Sequence, residues 1–337
     1  PKPSSAASDV YKRQNLHRRI GKIKKFIVRR ILTSIIALMG ATIVIFGGSR
    51  LLGDPLVNLL PPDESGFSYG FSQVVYEREK RKLHLDDPVP IQYLYWLGGV
   101  LKGDLGYDLS NKRPIMPLIM ERLPYTLELA AIGFLLATLI GIPMGVISAV
   151  KRGSFLDFVA RVIAALGIST PTFWTGMLFI LVFAVMLGWL PAGTRGDGFD
   201  IRYYILPSSV LAIHALAGYL RLVRSSMLEI LDSEFVKLAR AKGVGNTTIV
   251  WKHAFRNALL VPLTYAGLLL AGFITGSVSV EVVFAWPGVA NFGIQAAIAN
   301  NLPVVVAVTL LFTALYIIIA LLVDLLYALV DPRIRYG

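Results

Sequence analysis

Long apolar runs constrain the fold of this chain more than any other feature. A helix of about 20 apolar residues crosses the hydrocarbon layer of a membrane, and Ile31–Leu52 is such a run. Five more follow, at Leu127–Val150, Val159–Leu190, Leu206–Val223, Leu259–Val283 and Val304–Val330. Hydrophobic residues make up 55% of the chain and charged residues only 16%, which excludes an ordinary soluble domain. We therefore expect an all-α integral membrane protein with six transmembrane helices.

Positive charge is concentrated beside these runs, and it predicts their orientation. Residues 1–30 hold ten Lys and Arg against one Asp, a local charge of +9 within a total of +12. The 151–158 loop and the segment between the fourth and fifth runs are also basic, whereas the loop over 284–303 contains no Lys or Arg. Because basic loops stay on the cytoplasmic side, both termini are predicted to be cytoplasmic. The same distribution favours anionic membrane lipid, not nucleic acid, as the partner of the basic residues.

The runs and loops predict a division of the chain into parts. The first expected part is a cytoplasmic basic tail over 1–25, whose first 15 residues are expected to be disordered or not native. A first transmembrane helix over 26–52 and an external insertion over 53–122 follow. The rest is a five-helix core over 123–331, which includes a cytoplasmic segment over 225–257, and a cytoplasmic tail over 332–337. Apolar spacing within the insertion indicates a helix around Ser72–Leu83.

Motifs exclude most enzyme chemistry. The chain has no Cys and four scattered His without an HExxH pattern, so we expect no metal site. It also lacks GxxxxGK[ST], so it has no P-loop with which to bind ATP itself. One GxSxG match at Gly66–Gly70 has the spacing of a hydrolase nucleophile, without the strand and helix that should flank it. A membrane-anchored enzyme rests on that match alone.

Few ionisable residues lie inside the apolar runs. Those noted are Glu128, Arg161, His214 and Asp324. An ATP-independent secondary transporter usually places several such groups at mid-membrane, where here only His214 lies. The shortage of such groups argues against a secondary transporter or channel, which is kept as the alternative function. For His214 itself, a neutral, hydrogen-bonded side chain is the more ordinary interpretation.

The basic segment between the fourth and fifth runs contains a short amphipathic helix. Asp232-Ser233 can cap its start, and Gly243 can end it. Phe235, Leu238 and Ala239 share one face at spacings of three and four. The helix could lie on lipid headgroups or dock on a protein, and its small residues would allow close approach of a partner. Residue chemistry alone leaves both interpretations open.

Several motifs resemble one family, in order over residues 26–335. They are Glu234-Phe-Val-Lys-Leu-Ala-Arg-Ala-Lys-Gly243, Trp251-Lys-His-Ala-Phe-Arg-Asn-Ala-Leu-Leu260, Gly103-Asp-Leu-Gly-Tyr107, Glu121-Arg-Leu-Pro-Tyr-Thr126, Thr170-Pro-Thr-Phe-Trp174, Leu187-Gly-Trp-Leu-Pro-Ala-Gly193, Arg224-Ser-Ser-Met227 and Val283-Phe-Ala-Trp-Pro-Gly288. Together they resemble the dipeptide/oligopeptide-type permease subunits of binding-protein-dependent ABC importers. The chain departs from the family pattern at two places. It has Lys237-Leu238-Ala239 where the general permease signature has Glu-Ala-Ala, and Pro262 lies one residue later than the proline of that pattern.

The resemblance implies a type I importer permease fold in the inner membrane of a prokaryote and a set of partners. These are a second, related permease subunit, two ATPase subunits that bind ATP and Mg²⁺, and an extracytoplasmic substrate-binding protein. It implies no cofactor in this chain and no enzymatic activity of its own. The docking residues carried over are Glu234, Phe235, Leu238, Ala239, Ala241 and Gly243. The loop carried over as facing the binding protein is Trp286, Pro287 and Gly288.

A break in the third run predicts where the translocation pathway lies. Pro171 frees backbone groups, which are tolerated only inside protein or beside a water-filled cavity. Phe173, Trp174 and His214 are therefore our hypothesised pathway residues, and a kink that serves packing alone is the alternative. The substrate stays open, since the family carries dipeptides, longer peptides, nickel chelates, glutathione or oligosaccharides.

Overall fold

The computed structural model describes residues 5–51, 56, 73–82, 84–195, 198 and 200–330, and repeating secondary structure within these ranges is helical. The first helices are α1 (Ser5–Leu51), α2 (Gln73–Lys82), α3 (Val89–Leu101), α4 (Ile115–Val150), α5 (Phe155–Ser169), α6 (Thr172–Phe179, extended by wider π-helical turns over Ile180–Met186) and α7 (Ile201–Leu231). Then come α8 (Glu234–Ala241), α9 (Asn246–Thr248), π-helical turns over Ile249–Phe255, α10 (Arg256–Ala258), α11 (Leu260–Gly276), α12 (Val278–Val283), α13 (Val289–Ile298) and α14 (Leu302–Val330).

Four helices in the described ranges are long and apolar enough to cross a membrane alone. They are Lys25–Leu51, Ile115–Val150, Ile201–Leu231 and Leu302–Leu326. Two bent pairs qualify when each is taken as one span: Phe155–Ser169 with Thr172–Met186, bent by 112°, and Asn246–Ala258 with Val261–Phe273, bent by 54°. The protein thus has four candidate spans, or up to six when each bent pair counts once.

Several boundaries differ from those expected. Helix α1 reaches back to Ser5, where a disordered tail was expected, because extending an existing helix avoids the cost of a new nucleus. Helix α4 begins at Ile115, so the expected end of the insertion at 122 falls inside it. Its first turns carry charges such as Glu121, which hide a helix from a search for apolar residues. The GxSxG match at Gly66–Gly70 lies outside the described residues.

The core is built where α4 packs along α7. Gly141 and Gly145, one turn apart on α4, lie against α7: a β-carbon would lie 2.8 Å from Tyr219 Cβ at the first and 2.7 Å from Val223 Cβ at the second. These two glycines therefore let the helices approach closely, as small residues do between membrane helices.

The first and last helices are also neighbours. Helix α1 packs against α14, and Arg30 Nη1 lies 3.2 Å from Asp324 Oδ2. Since Arg30 lies near the start of the first span and Asp324 near the end of the last, those two ends lie at the same end of the bundle.

Candidate functional site

Helix α8 projects from the end of the bundle where α4 and α7 finish. It begins after Ser233, whose backbone is extended and whose hydroxyl donates to the Ile230 carbonyl. The expected side-chain cap by Asp232 or Ser233 is wrong: the Ser233 hydroxyl is turned back towards the preceding helix, and the Val236 and Lys237 N–H groups donate to the Ser233 backbone carbonyl instead. Glu234 lies in the first turn and accepts from Lys237 Nζ at 2.8 Å, beside the positive end of the helix dipole.

One residue anchors α8 while its apolar face stays exposed. Val236 is fully buried against the bundle. Phe235 and Leu238 are 44% and 57% exposed, and Ala241 is exposed. Ala239 is half-buried between the two sides. The chain thus holds the helix in place, and the residues that the structure describes leave the predicted docking face uncovered.

A glycine turn ends α8. Gly243 has φ +77°, a left-handed conformation that favours glycine. Its N–H donates to the Arg240 carbonyl at 2.9 Å, and the Val244 N–H donates to the Ala239 carbonyl at 3.2 Å. This pair of bonds is the Schellman motif, and it turns the chain at once towards Asn246 and the next helical segment.

At the opposite end of the bundle, the Trp286–Gly288 loop is largely buried. Trp286 is fully buried, and its indole Nε1 donates to the Tyr125 carbonyl at 3.0 Å. Gly288 is buried too, and a β-carbon there would overlap the Glu281 carboxylate. Pro287 is exposed. Of the three residues predicted to face a binding protein, Pro287 is thus the one whose side chain reaches the surface.

A buried carboxylate organises this loop. Glu281 is fully buried; its Oε1 accepts from Thr126 Oγ1 at 2.8 Å and Ser277 Oγ at 3.0 Å, and its Oε2 accepts from the Asn291 N–H at 3.0 Å. The Thr126 hydroxyl in turn accepts from the Val289 N–H at 2.9 Å. Buried acceptors with this many donors are strongly position-specific, because each donor would otherwise lack a partner. Glu281 therefore joins α4, α12 and α13.

A second polar cluster lies beside the loop. Arg195, between α6 and α7, donates from Nε to Tyr204 Oη at 2.8 Å and from Nη2 to Glu128 Oε2 at 3.3 Å. Its guanidinium also lies 4.5 Å from the centre of the Tyr125 ring. The hydrogen bond to Tyr204 raises the pKa of Arg195 above its ordinary value. This cluster explains why Glu128 is tolerated in an apolar run.

The break at Pro171 lies between α5 and α6, as the sequence predicts. His214 Nε2 lies 2.7 Å from the Thr170 carbonyl oxygen, so His214 satisfies an acceptor that the interrupted helix leaves open. His214 is half-buried, whereas Phe173 and Trp174 are 49% and 46% exposed. The structure thus brings His214 to the break, and it leaves both aromatic side chains on the outside of the single subunit.

Sequence reasoning missed Val236, Glu281 and Asp157. A single acidic residue in the apolar stretch around Val280 and Val282 indicates that Glu281 is buried with polar partners. The sequence does not identify those partners, which lie up to 155 residues away. Asp157 is nearly fully buried and accepts from Arg224 Nε at 2.7 Å. Within the described part of the chain, no three His, Asp or Glu side chains lie together as potential metal ligands.

A helical bundle with broken spans and an amphipathic helix held outside one end is the architecture of a polytopic membrane protein. Comparisons narrow the class. Residues 141–336 match the family described as the inner membrane component of binding-protein-dependent transport systems. The oligopeptide transport system permease protein AppB of Bacillus subtilis strain 168 is 40% identical, over 92% of this chain and 99% of AppB. The chain belongs to this family of permease subunits of binding-protein-dependent ABC importers.

Two further matches agree. The dipeptide transport system permease protein DppB of Alkalihalophilus pseudofirmus is 34% identical over 92% of this chain and 99% of its own length. Among solved structures, the MetNI methionine ABC transporter in an inward-facing conformation aligns with a TM-score of 0.53 and 20% identity, over 64% of this chain and 98% of that chain. At that identity the likeness shows the fold alone.

Proposed function

We propose that this permease forms half of the translocation pathway of an ATP-driven importer for peptides. The relatives named for oligopeptide and dipeptide transport support a peptide cargo. The other half of the pathway would come from a second, related permease subunit. ATP and Mg²⁺ would be bound by two ATPase subunits, and an extracytoplasmic binding protein would deliver the cargo.

The observation that carries this proposal is the exposed apolar face of α8. A helix that served only its own fold would turn Phe235 and Leu238 inward, yet here only Val236 is fully buried. Phe235, Leu238, Ala239 and Ala241, with Glu234 at the start and the turn at Gly243, offer a face to an ATPase groove. Movement of the ATPases on ATP binding would then pass through α8 into α7 and the segment after Asn246, which α8 contacts.

The membrane orientation belongs to the same proposal. Six spans with both termini in the cytoplasm agree with the Lys and Arg distribution, and the Arg30–Asp324 contact supports placing both ends together. Since the chain has no native Cys, Ala299→Cys should react with an impermeant thiol reagent from outside, and Asn246→Cys should not. Labelling of Asn246→Cys in intact cells would overturn this orientation.

The docking test uses Leu238→Ser in the full importer. Removing this exposed apolar side chain should reduce the amount of ATPase that co-purifies and lower transport. Arg240→Ala is the matched control, because Arg240 is exposed on the same helix but lies away from the apolar face. Equal retention of ATPase in Leu238→Ser and Arg240→Ala would overturn the docking assignment. Transport that continues without any ATPase would instead favour a secondary transporter.

A further inference from the structure

A cavity of about 580 Å³ lies between α4, α5 and α7, towards the end of the bundle that carries α8. Its lining combines two kinds of side chain. The polar ones are Ser148, Arg161, Ser169, Arg221, Arg224 and Ser225. The rest of the wall is apolar and includes Ala160, Ala164, Ile168, Leu220 and Leu228. Cavities of this volume are typical of small-molecule sites.

The charges in this cavity do not cancel. Buried Asp157 accepts from Arg224 at 2.7 and 3.1 Å, and it lies 3.7 Å from Arg161 Nε. Arg221 makes no ion pair with any residue that the structure describes. Three guanidinium groups therefore face one carboxylate, which leaves a net charge of +2 beside an apolar wall. Arg161 and Arg221 are exposed near the α8 end of the bundle, and guanidinium groups without a carboxylate partner beside an apolar wall favour an anionic partner at the level of the lipid headgroups.

We propose that this cavity binds the phosphate of an anionic membrane lipid. The cavity wall has a basic side and an apolar side, and a phospholipid matches both. Its phosphate would pair with the arginines, and its acyl chain would pack against the alanine and leucine side chains. Arg224, fixed by Asp157, is already oriented, whereas Arg161, with 57% of its side chain exposed, is able to close on the phosphate. Basic pockets between membrane helices bind anionic headgroups by this chemistry.

The test is native mass spectrometry of the assembled importer, titrated with phosphatidylglycerol. The variant is the double change Arg161→Gln with Arg221→Gln, which spares the Arg224–Asp157 pair. Two lost charges should weaken the tightest phosphatidylglycerol by roughly thirtyfold. Arg152→Gln is the matched control, because it removes an exposed charge between α4 and α5 outside the cavity, and it should leave that lipid in place.

Each outcome decides the proposal. Loss of the lipid in the double variant and not in Arg152→Gln supports it, and unchanged retention in both overturns it. A third outcome is that the double variant retains the lipid but no longer prefers peptides with a free C-terminus over peptides with an amidated one. That outcome would assign the cavity to the cargo and would also overturn the lipid proposal. Should the double variant fail to assemble, Arg221→Gln should weaken lipid binding about fivefold, and Arg221→Lys should leave it unchanged. Equal retention by these two variants would then contradict the lipid site.

Discussion

The two ends of this permease satisfy their side chains in opposite ways. At the α13 end, Glu281, Thr126 and Trp286 are buried and bonded to other parts of the chain. At the α8 end, Phe235 and Leu238 remain exposed although they are apolar. The first end is completed by its own residues, whereas the second, under the proposed function, is completed by a partner. Substitutions at the first end should therefore change folding, and substitutions at the second should change association.

The largest expected effect is on folding at the α13 end. Glu281→Ala removes the acceptor of two hydroxyls and the Asn291 N–H, which should lower the free energy of unfolding by about 3 kcal/mol or more. Glu281→Gln keeps one acceptor oxygen and should lose less. Unfolding in mixed micelles of detergent and dodecyl sulfate measures this free energy.

An exposed carboxylate gives the matched control for Glu281. Glu121 pairs with Arg113 at 2.8 Å with 54% of its side chain exposed, so Glu121→Ala should cost under about 1 kcal/mol. If Glu281→Ala cost no more than Glu121→Ala, Glu281 would not be the residue that holds this end together.

The next largest effect is on association at the α8 end. Ala239→Glu should place a carboxylate in the proposed ATPase contact and weaken ATPase binding about a hundredfold or more, while the free energy of unfolding stays nearly unchanged. Arg240→Glu adds the same group to the same helix away from the apolar face and should bind almost normally. Titration of purified ATPase against the permease in nanodiscs measures both. A large loss of folding stability in Ala239→Glu would contradict the division between the two ends.

A smaller effect is expected at the break between α5 and α6. His214→Ala leaves the Thr170 carbonyl without its side-chain donor and should destabilise the protein by about 1–2 kcal/mol. His253→Ala, on the segment after α8, controls for the loss of an imidazole. Transport by Trp174→Ala separates the two interpretations of the break: a changed rate or cargo range supports a pathway residue, and an unchanged one assigns the break to packing.

The smallest effect concerns the turn after α8. Gly243→Ala adds a β-carbon at φ +77° and should cost about 1 kcal/mol, which weakens ATPase binding about fivefold through a displaced helix. Gly245→Ala is the control, because Gly245 has φ −60° and open space around the added carbon. Equal affinity in the two variants would mean that the left-handed turn does not position α8.

The sequence by itself determined the features that depend on local composition. Apolar runs predicted the all-α membrane class, Pro171 predicted the break in the third run, and the motif around Glu234–Gly243 predicted both a short helix and its glycine stop. The spacing of apolar residues and the residue types are sufficient to predict these features, because helix formation, helix ends and membrane insertion depend on neighbours within a few turns.

Only the tertiary structure decided which side chains meet. The sequence marks Glu281 as one acidic residue in an apolar stretch, but it gives no sign that Thr126, 155 positions earlier, supplies its hydroxyl. The amphipathic pattern of α8 likewise does not say that Val236 is the anchor, because Val236, Phe235 and Leu238 are all apolar. Hydrogen bonds and packing act over a few ångströms in space, so only the folded bundle distinguishes a buried carboxylate such as Glu281 from an exposed apolar face such as that of α8.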